Sequence, residues 1–540
     1  MLIKLGAEIV DYAEKLDCCG AALMRSHPDS ALSLAGTKLR AVQSLSVNGM
    51  VVSYPDCQLM FDANQKQAGT NRWRKAQCSS DLFYPTTWTC HGVEEKKLGL
   101  QLNRSSVEEI LAKTSNWPSE QFLYSVTKLQ QKVYVMVEFA FTEEQELVRK
   151  GVREWCEKNL PIEKIREMDT NGAIPQSLLQ SMGEMGLNIM TAPQEHGGAD
   201  ADWVTACIVA EELGYADVSI ALPVLWLVES SWGYVVDKYA SEKVRNDVIR
   251  PAIKGDAFIG IGSTEAGGGS DVAAFKTTAK KVGDDWILNG EKTYISGTEE
   301  AKRLGGGYFV IARTSPAQPE VAHRGMTGFY VPINAPGVEV NKRYDDMGRM
   351  AISTGGFLME NVKIPDSYRL GDVDKGFYLT MEGFDTARIL ISSVCVGASR
   401  RALDFGMEYI KERKAFGRPI GKFQGIQFEM ADDWAHLEAL RSLSYRTAWM
   451  MDRRYKENKF SPLEVTKMIA ACKLLAPHLA FDIYKHAMIW LGAYGYTKEC
   501  PLEMGLRGVM SYCIGAEGAT NIQRTVIARE LLGKEFIAYK

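Results

Sequence analysis

At 540 residues the chain is too long for one hydrophobic core, and its 46% hydrophobic and 24% charged residues are an ordinary globular mixture. A formal net charge of −4 leaves no basic footprint and argues against nucleic acid as the main partner. No apolar run reaches the ~18 residues of a membrane span, and Glu8 and Asp11 come too early for a secretory leader, so a cytoplasmic protein is expected.

Five of the eleven cysteines (Cys18, Cys19, Cys57, Cys78 and Cys90) crowd the N-terminal part. The other six stand among apolar neighbours, where a buried reduced thiol is the default. The texture changes over residues 116–138, read as a linker. Thr142 with Gln145 then forms a capping-box pattern, and Leu147, Val148, Val152, Trp155 and Cys156 follow at helical spacing. Helical periodicity continues, broken at 193–198, and predicts an α-helical domain over 139–257.

From Phe258 short apolar runs alternate with glycine and proline. Asn289-Gly290, between Trp286-Ile287-Leu288 and Thr293-Tyr294-Ile295, predicts a hairpin turn. Further strands are expected at 308–312, 328–333 and 357–362, giving a β-barrel or sandwich domain over 258–372. Long helical patterns at 378–414, 424–456, 461–491 and 522–532 predict a C-terminal four-helix bundle domain over 373–540.

Five short motifs punctuate these elements, the third and fourth both in the helical bundle. Ser263-Thr264-Glu265-Ala266-Gly267-Gly268-Gly269-Ser270-Asp271 is a glycine-rich loop whose backbone can approach a cofactor. It lacks the Gly-Lys-Ser/Thr of a Walker loop and the strand–helix setting of a Rossmann fingerprint. Tyr294-Ile295-Ser296-Gly297 offers an aromatic face and a hydroxyl. Arg413-Lys414-Ala415-Phe416-Gly417, with Gln424 downstream, is the third, and Gly492-Ala493-Tyr494-Gly495-Tyr496 is the fourth. Ala516-Glu517-Gly518-Ala519-Thr520-Asn521-Ile522-Gln523 is the fifth. Singly, each has a plain reading: a turn, a strand aromatic, a solvated charge cluster, a glutamate at a helix N-terminus.

Together and in this order, they resemble the acyl-CoA dehydrogenase family, whose architecture is helical domain, β domain, helical bundle. The resemblance implies FAD as cofactor and an acyl-CoA thioester as substrate. It implies flavin contacts from Thr264, Ser270, Tyr294 and Ser296, with the Ser296 hydroxyl at N5, the hydride acceptor. Arg413, Phe416, Gln424, Gly492 and Asn521 would complete the cofactor site, partly from a neighbouring subunit of a homotetramer or homodimer. Ser270, Arg388 and Gly518 would meet the substrate. Glu517 would be the base that removes the α-proton while hydride leaves Cβ, giving the 2-enoyl-CoA, and electrons would pass to an electron-transferring flavoprotein. Such chemistry needs a positioned carboxylate and donors on the thioester carbonyl. An apolar surrounding should raise the pKa of that carboxylate. Some members carry the base on an earlier helix; the matching position here is Ala387, which cannot serve. Three departures stand out: Ala266 for a proline, Ile489 for a glutamine, and Arg507-Gly508 where the family has Arg-Asp. Enoyl-CoA reduction, the reverse reaction, is the alternative reading.

Residues 1–115 resemble something else, the C-terminal cysteine-rich half of the heterodisulfide reductase B subunit, and imply a small α/β domain. The matches are Asp17-Cys18-Cys19-Gly20 and Tyr54-Pro55-Asp56-Cys57. The resemblance makes Cys18, Cys19 and Cys57 candidate iron–sulfur ligands. Tyr54 replaces one ligand of an ordinarily four-thiolate pattern. A relic without a cluster is therefore the expectation, and no other metal site is anticipated. An electron-transfer fusion is the rival.

Overall fold

The computed structural model describes residues 140–318 and 321–536. Cys18, Cys19 and Cys57, the N-terminal α/β domain and the linker lie outside the described residues.

The first helix, α1 (Glu143–Asn159), begins at the expected cap. Thr142 Oγ accepts from the Gln145 N–H at 3.2 Å, and the Gln145 side chain accepts from the Thr142 N–H at 3.1 Å. Two of the helix's orphan donors are thereby satisfied. Helices α2 (Ile162–Asn171) and α3 (Gln176–Glu184) follow. Next come α4 (Trp203–Ala216) and α5 (Ala221–Tyr239), each buried along most of its length. Such all-round burial explains why their sequences lack a polar face. One α4 carboxylate ties this helix to α1 and the other ties the layer to the bundle. Glu212 takes Arg149 and Arg153 at 3.0 and 2.9 Å, while Glu211 takes Arg441 at 3.1 Å and the Tyr445 hydroxyl at 2.6 Å.

Eight strands form one sheet: β1 (Phe258–Gly262), β2 (Thr278–Val282), β3 (Asp285–Ser296), β4 (Gly306–Arg313), β5 (Met326–Pro332), β6 (Val338–Arg343), β7 (Thr354–Pro365) and β8 (Arg369–Leu370). Their order is β6-β7-β3-β2-β4-β5-β8, with β1 parallel to β4. The Asn289-Gly290 hairpin expectation is overturned. These residues lie inside the single strand β3, where the register with β7 shifts. Gly290 has φ +151°, and a Cβ there would stand 2.5 Å from Thr277 Oγ. The glycine thus serves a bulge and a close approach rather than a turn. The real hairpin joins β2 to β3 through Gly283, whose φ is +62°.

The bundle holds α6 (Gly376–Glu412), α7 (Gln424–Glu457), α8 (Pro462–Trp490), α9 (Leu502–Ile514) and α10 (Thr520–Leu532). Helix α9 was not foreseen. Its sequence is interrupted by Gly505 and Gly508, which depress helix propensity. Packing demands both: a Cβ at Gly505 would meet the Tyr484 ring at 2.2 Å, and one at Gly508 would meet Ser219 O at 2.6 Å. That contact is also why an aspartate cannot stand beside Arg507. The six described cysteines are free thiols, all buried except the half-buried Cys513. No described helix is long and apolar enough to cross a membrane.

Candidate active site

Glu517 stands in the loop between α9 and α10, in the left-handed region at φ +55°. This conformation is costly for a residue with a Cβ and is a mark of an over-determined site. Three elements hold it. The Arg388 Nε of α6 donates to the Glu517 backbone carbonyl at 2.9 Å, and the indole N–H of Trp232 in α5 approaches its carboxylate at 3.4 Å. Lys473 of α8, fully buried, donates to the Tyr512 carbonyl at 2.7 Å at the end of α9. Trp232 in turn packs against Phe309 of β4 and Phe384 of α6, with ring centroids 5.3 and 5.5 Å apart. Glu517 therefore sits where the helical layer, the sheet and the bundle meet.

The electrostatics are those of a proton acceptor. Burial pushes the Glu517 carboxyl up to about 7, against the opposing pull of the Trp232 N–H, Arg388 and Lys473. The Arg388 guanidinium is spent elsewhere: its Nη1 pairs with Asp385 at 3.2 Å, and Asp385 also accepts from Thr466 at 2.5 Å. Gly518 is needed at φ +110°, since a Cβ would press on the Gln523 amide at 2.9 Å and on Arg388 at 3.2 Å. Gln523 is fully buried, yet neither side-chain amide atom has a protein partner. Ala387 is buried and carries no acid.

The glycine-rich loop follows β1. Gly267 and Gly268 have open space where a Cβ would stand, and 266–271 are exposed. The loop is stapled from below by Glu265, which accepts from the Lys276 N–H at 2.6 Å, the Thr277 hydroxyl at 2.6 Å and Lys292 Nζ at 2.9 Å. Lys292 is wholly buried and also donates to the Ser263 and Ile311 carbonyls, so all three of its hydrogens are used. The Thr264 carbonyl accepts from the Thr293 N–H at 2.9 Å, which fixes the loop against the end of β3. There Tyr294, at φ +56° and 63% exposed, stacks on Tyr344 with centroids 4.5 Å apart. Ser296 ends the strand, and its hydroxyl accepts from Arg349 at 3.4 Å. An open glycine backbone with an uncovered aromatic ring and a hydroxyl beside it fits a flat, polar-edged group carrying a diphosphate. So does the orphaned amide of Gln523.

The remaining predicted residues lie apart, on the bundle surface. Arg413 caps α6, and Phe416, 95% exposed at φ +51°, tips the small hairpin between Lys414–Ala415 and Arg418–Pro419. Gln424 opens α7, Gly492 follows α8, and Asn521, in the first turn of α10, accepts from Arg524 at 2.7 Å. Ile489, at the glutamine position, is exposed. Sequence reasoning missed Trp232, Arg349, Lys292 and Lys473. A lysine inside the apolar helical run 468–477 was the available signal for Lys473; Lys292, beside Glu291 and Thr293, had none.

Family models for the acyl-CoA dehydrogenase N-terminal, middle and C-terminal domains match residues 142–256, 260–362 and 374–532. The bovine mitochondrial short-chain specific acyl-CoA dehydrogenase is 34% identical over 401 residues, covering 74% of this chain and 92% of that protein. The chain belongs to the acyl-CoA dehydrogenase family. Subunit CarC of the caffeyl-CoA reductase-Etf complex of Acetobacterium woodii, another relative, is 33% identical over 73% of this chain and 100% of its own. The solved butyryl-CoA dehydrogenase of Megasphaera elsdenii superposes with a TM-score of 0.67 at 27% identity, covering 73% of this chain and 100% of that one. The helical, β and helical layers are those of the acyl-CoA dehydrogenase fold. Separately, a cysteine-rich domain model matches residues 1–62.

Proposed function

We propose that the chain is an FAD-dependent acyl-CoA dehydrogenase in which Glu517 takes the α-proton of an acyl-CoA thioester. The observation that carries this is the Glu517 carboxyl. It is held in a strained loop by Arg388, lies beside an indole N–H, and is raised to about 7 by burial. A base with a pKa near working pH abstracts a proton with the best balance of ionised fraction and basicity. Arg388 holds the loop by its backbone, leaving the carboxylate free to move a proton. FAD, once bound, would supply the acceptor for the Cβ hydride, so the products would be the 2-enoyl-CoA and reduced cofactor. Thr264, Ser270, Tyr294 and Ser296 would hold its ring and diphosphate edge; Ser270, Arg388 and Gly518 would line the thioester path.

An electron-transferring flavoprotein is the electron partner this reading requires, and the relative named as part of an Etf complex supports it. That relative is also named a reductase, which favours keeping enoyl-CoA reduction as the second reading. A homotetramer or homodimer is proposed from the exposed Phe416, Phe428, Trp434 and Tyr496. In such an assembly Arg413, Phe416 and Gln424 would reach a neighbour's cofactor, with Gly492 and Asn521 beside them.

The test is anaerobic visible absorbance of the purified protein against a panel of acyl-CoA thioesters, with Glu517→Gln alongside. One thioester should bleach the flavin, and the variant should bleach ~10²–10⁴-fold more slowly. A variant as fast as wild type would show the base to be another group. Addition of enoyl-CoA to the reduced protein reads the reverse direction.

A further inference from the structure

The segment between β6 and β7 touches both halves of the site. On one side it is clamped to α9, the helix that leads to Glu517. Arg507 donates to the Met347 carbonyl at 3.0 Å, and Gly348 lies so close that a Cβ would stand 2.5 Å from the Arg507 carbonyl carbon. Arg507 is itself fixed by Glu503 at 2.7 Å and Asp169 at 3.1 Å. On the other side Arg349, held at φ +50°, turns its guanidinium to the end of the sheet. Nη1 donates to Ser296 Oγ at 3.4 Å and Nη2 to Thr354 Oγ at 3.1 Å. The side chain is 12% exposed, and the Asp346 carboxylate stands 4.0 Å away, beyond hydrogen-bond reach.

We propose that Arg349 is a positioning residue that turns the Ser296 hydroxyl toward the bound flavin and, through that hydroxyl, raises the flavin's reduction potential. A hydroxyl has one hydrogen and two lone pairs. With one lone pair taken by a guanidinium N–H, its hydrogen must point away from Arg349. Among the described residues that hydrogen meets no protein acceptor. Donation by a cation also polarises the O–H and makes it a stronger donor. Reduction adds electron density to the ring, so a stronger donor there favours the reduced form. The inference rests on the proposed contact between Ser296 and the flavin.

The experiment measures the midpoint potential of bound FAD in the holoenzyme for wild type, Arg349→Gln, Arg349→Lys, Ser296→Ala and the Arg349→Gln/Ser296→Ala double variant. Arg349→Gln should lower the reduced-to-oxidised ratio at a fixed potential by about tenfold, ~30 mV for a two-electron couple. Arg349→Lys should stay within about threefold of wild type, because it keeps the charge, even without the forked geometry. On the Ser296→Ala background the glutamine change should lose more than half its effect. If Ser296→Ala shifts the potential and Arg349→Gln does not, or if the two shifts simply add, Arg349 does not act through Ser296 and the inference is overturned. If Ser296→Ala is itself silent, the fault lies in the proposed flavin contact. Arg349→Met is the second neutral variant should Arg349→Gln not accumulate.

Discussion

Glu265 and Glu517 are both glutamates in glycine-flanked loops, and their surroundings treat them in opposite ways. Burial works to raise the carboxyl of each. At Glu265 it is outweighed by the Lys292 charge and by donors from Lys276 and Thr277, which leave the group below the ordinary carboxylate range. At Glu517 the nearby cations spend their hydrogen bonds on backbone carbonyls and on Asp385, so burial prevails and the group rises to about 7. One glutamate is an anchor that stays ionised; the other can exchange a proton near neutrality. Residue type and neighbouring glycines do not separate these roles. The placement of Lys292 and Arg388 does.

The comparison breaks most visibly at Lys292. Lys292→Met leaves Glu265 without its buried cation, and an unpaired buried charge costs about 3–5 kcal/mol. Denaturant unfolding should show a loss of that order, with weaker FAD retention. Glu517→Gln should not destabilise, because no buried partner is stranded. Its sign follows from linkage. The folded-state pKa of Glu517 lies above its unfolded value, so wild-type stability falls as pH rises between the two. The glutamine variant escapes that fall, and its relative stability should grow with pH up to about 7 and then level. Glu265 works the other way: its contribution is present above the unfolded pKa and is lost as pH falls through the lowered folded value.

The proposed proton-accepting role of Glu517 gives the next effect. Flavin bleaching by a good thioester should rise roughly tenfold per pH unit below about 7 and flatten above it, read by stopped-flow absorbance. Gly518→Ala adds a Cβ at φ +110° against the Gln523 amide, and a strain of about 1–3 kcal/mol is expected in thermal unfolding, with slower bleaching as the base loop shifts. The smallest change is Trp232→Phe, which keeps an aromatic ring against Phe309 and Phe384 but removes the N–H facing Glu517. A net hydrogen bond is worth about 1 kcal/mol. The acid limb of the rate profile should therefore move to higher pH by less than about one unit, without a large change in melting temperature. A limb that moved down would contradict the assigned contact.

Legibility in the sequence varied with the range of the interaction. The Thr142 capping box and the long bundle helices are local patterns, and the helix starts follow them closely. Asn289-Gly290 misled because its turn chemistry also suits a bulge, and only the pairing of β3 with β7 chose between them. Helix α9 was missed because Gly505 and Gly508 satisfy Tyr484 and Ser219, residues far away in the chain. Trp232 and Arg349 carried no sequence signal at all, since each acquires meaning from a neighbour more than 50 positions distant.

By itself the sequence determined the family, through motif order, and with it the layer architecture; it offered Glu517 as the candidate base. It also named candidate residues around a glycine-rich loop. The tertiary structure alone decided what each charge does. Arg388 grips a carbonyl rather than the Glu517 carboxylate, Lys292 neutralises Glu265, and the indole N–H of Trp232 faces Glu517. Motifs record which side chains are available. Pairing and burial are set by distances across three layers, and those follow from packing rather than from spacing along the chain.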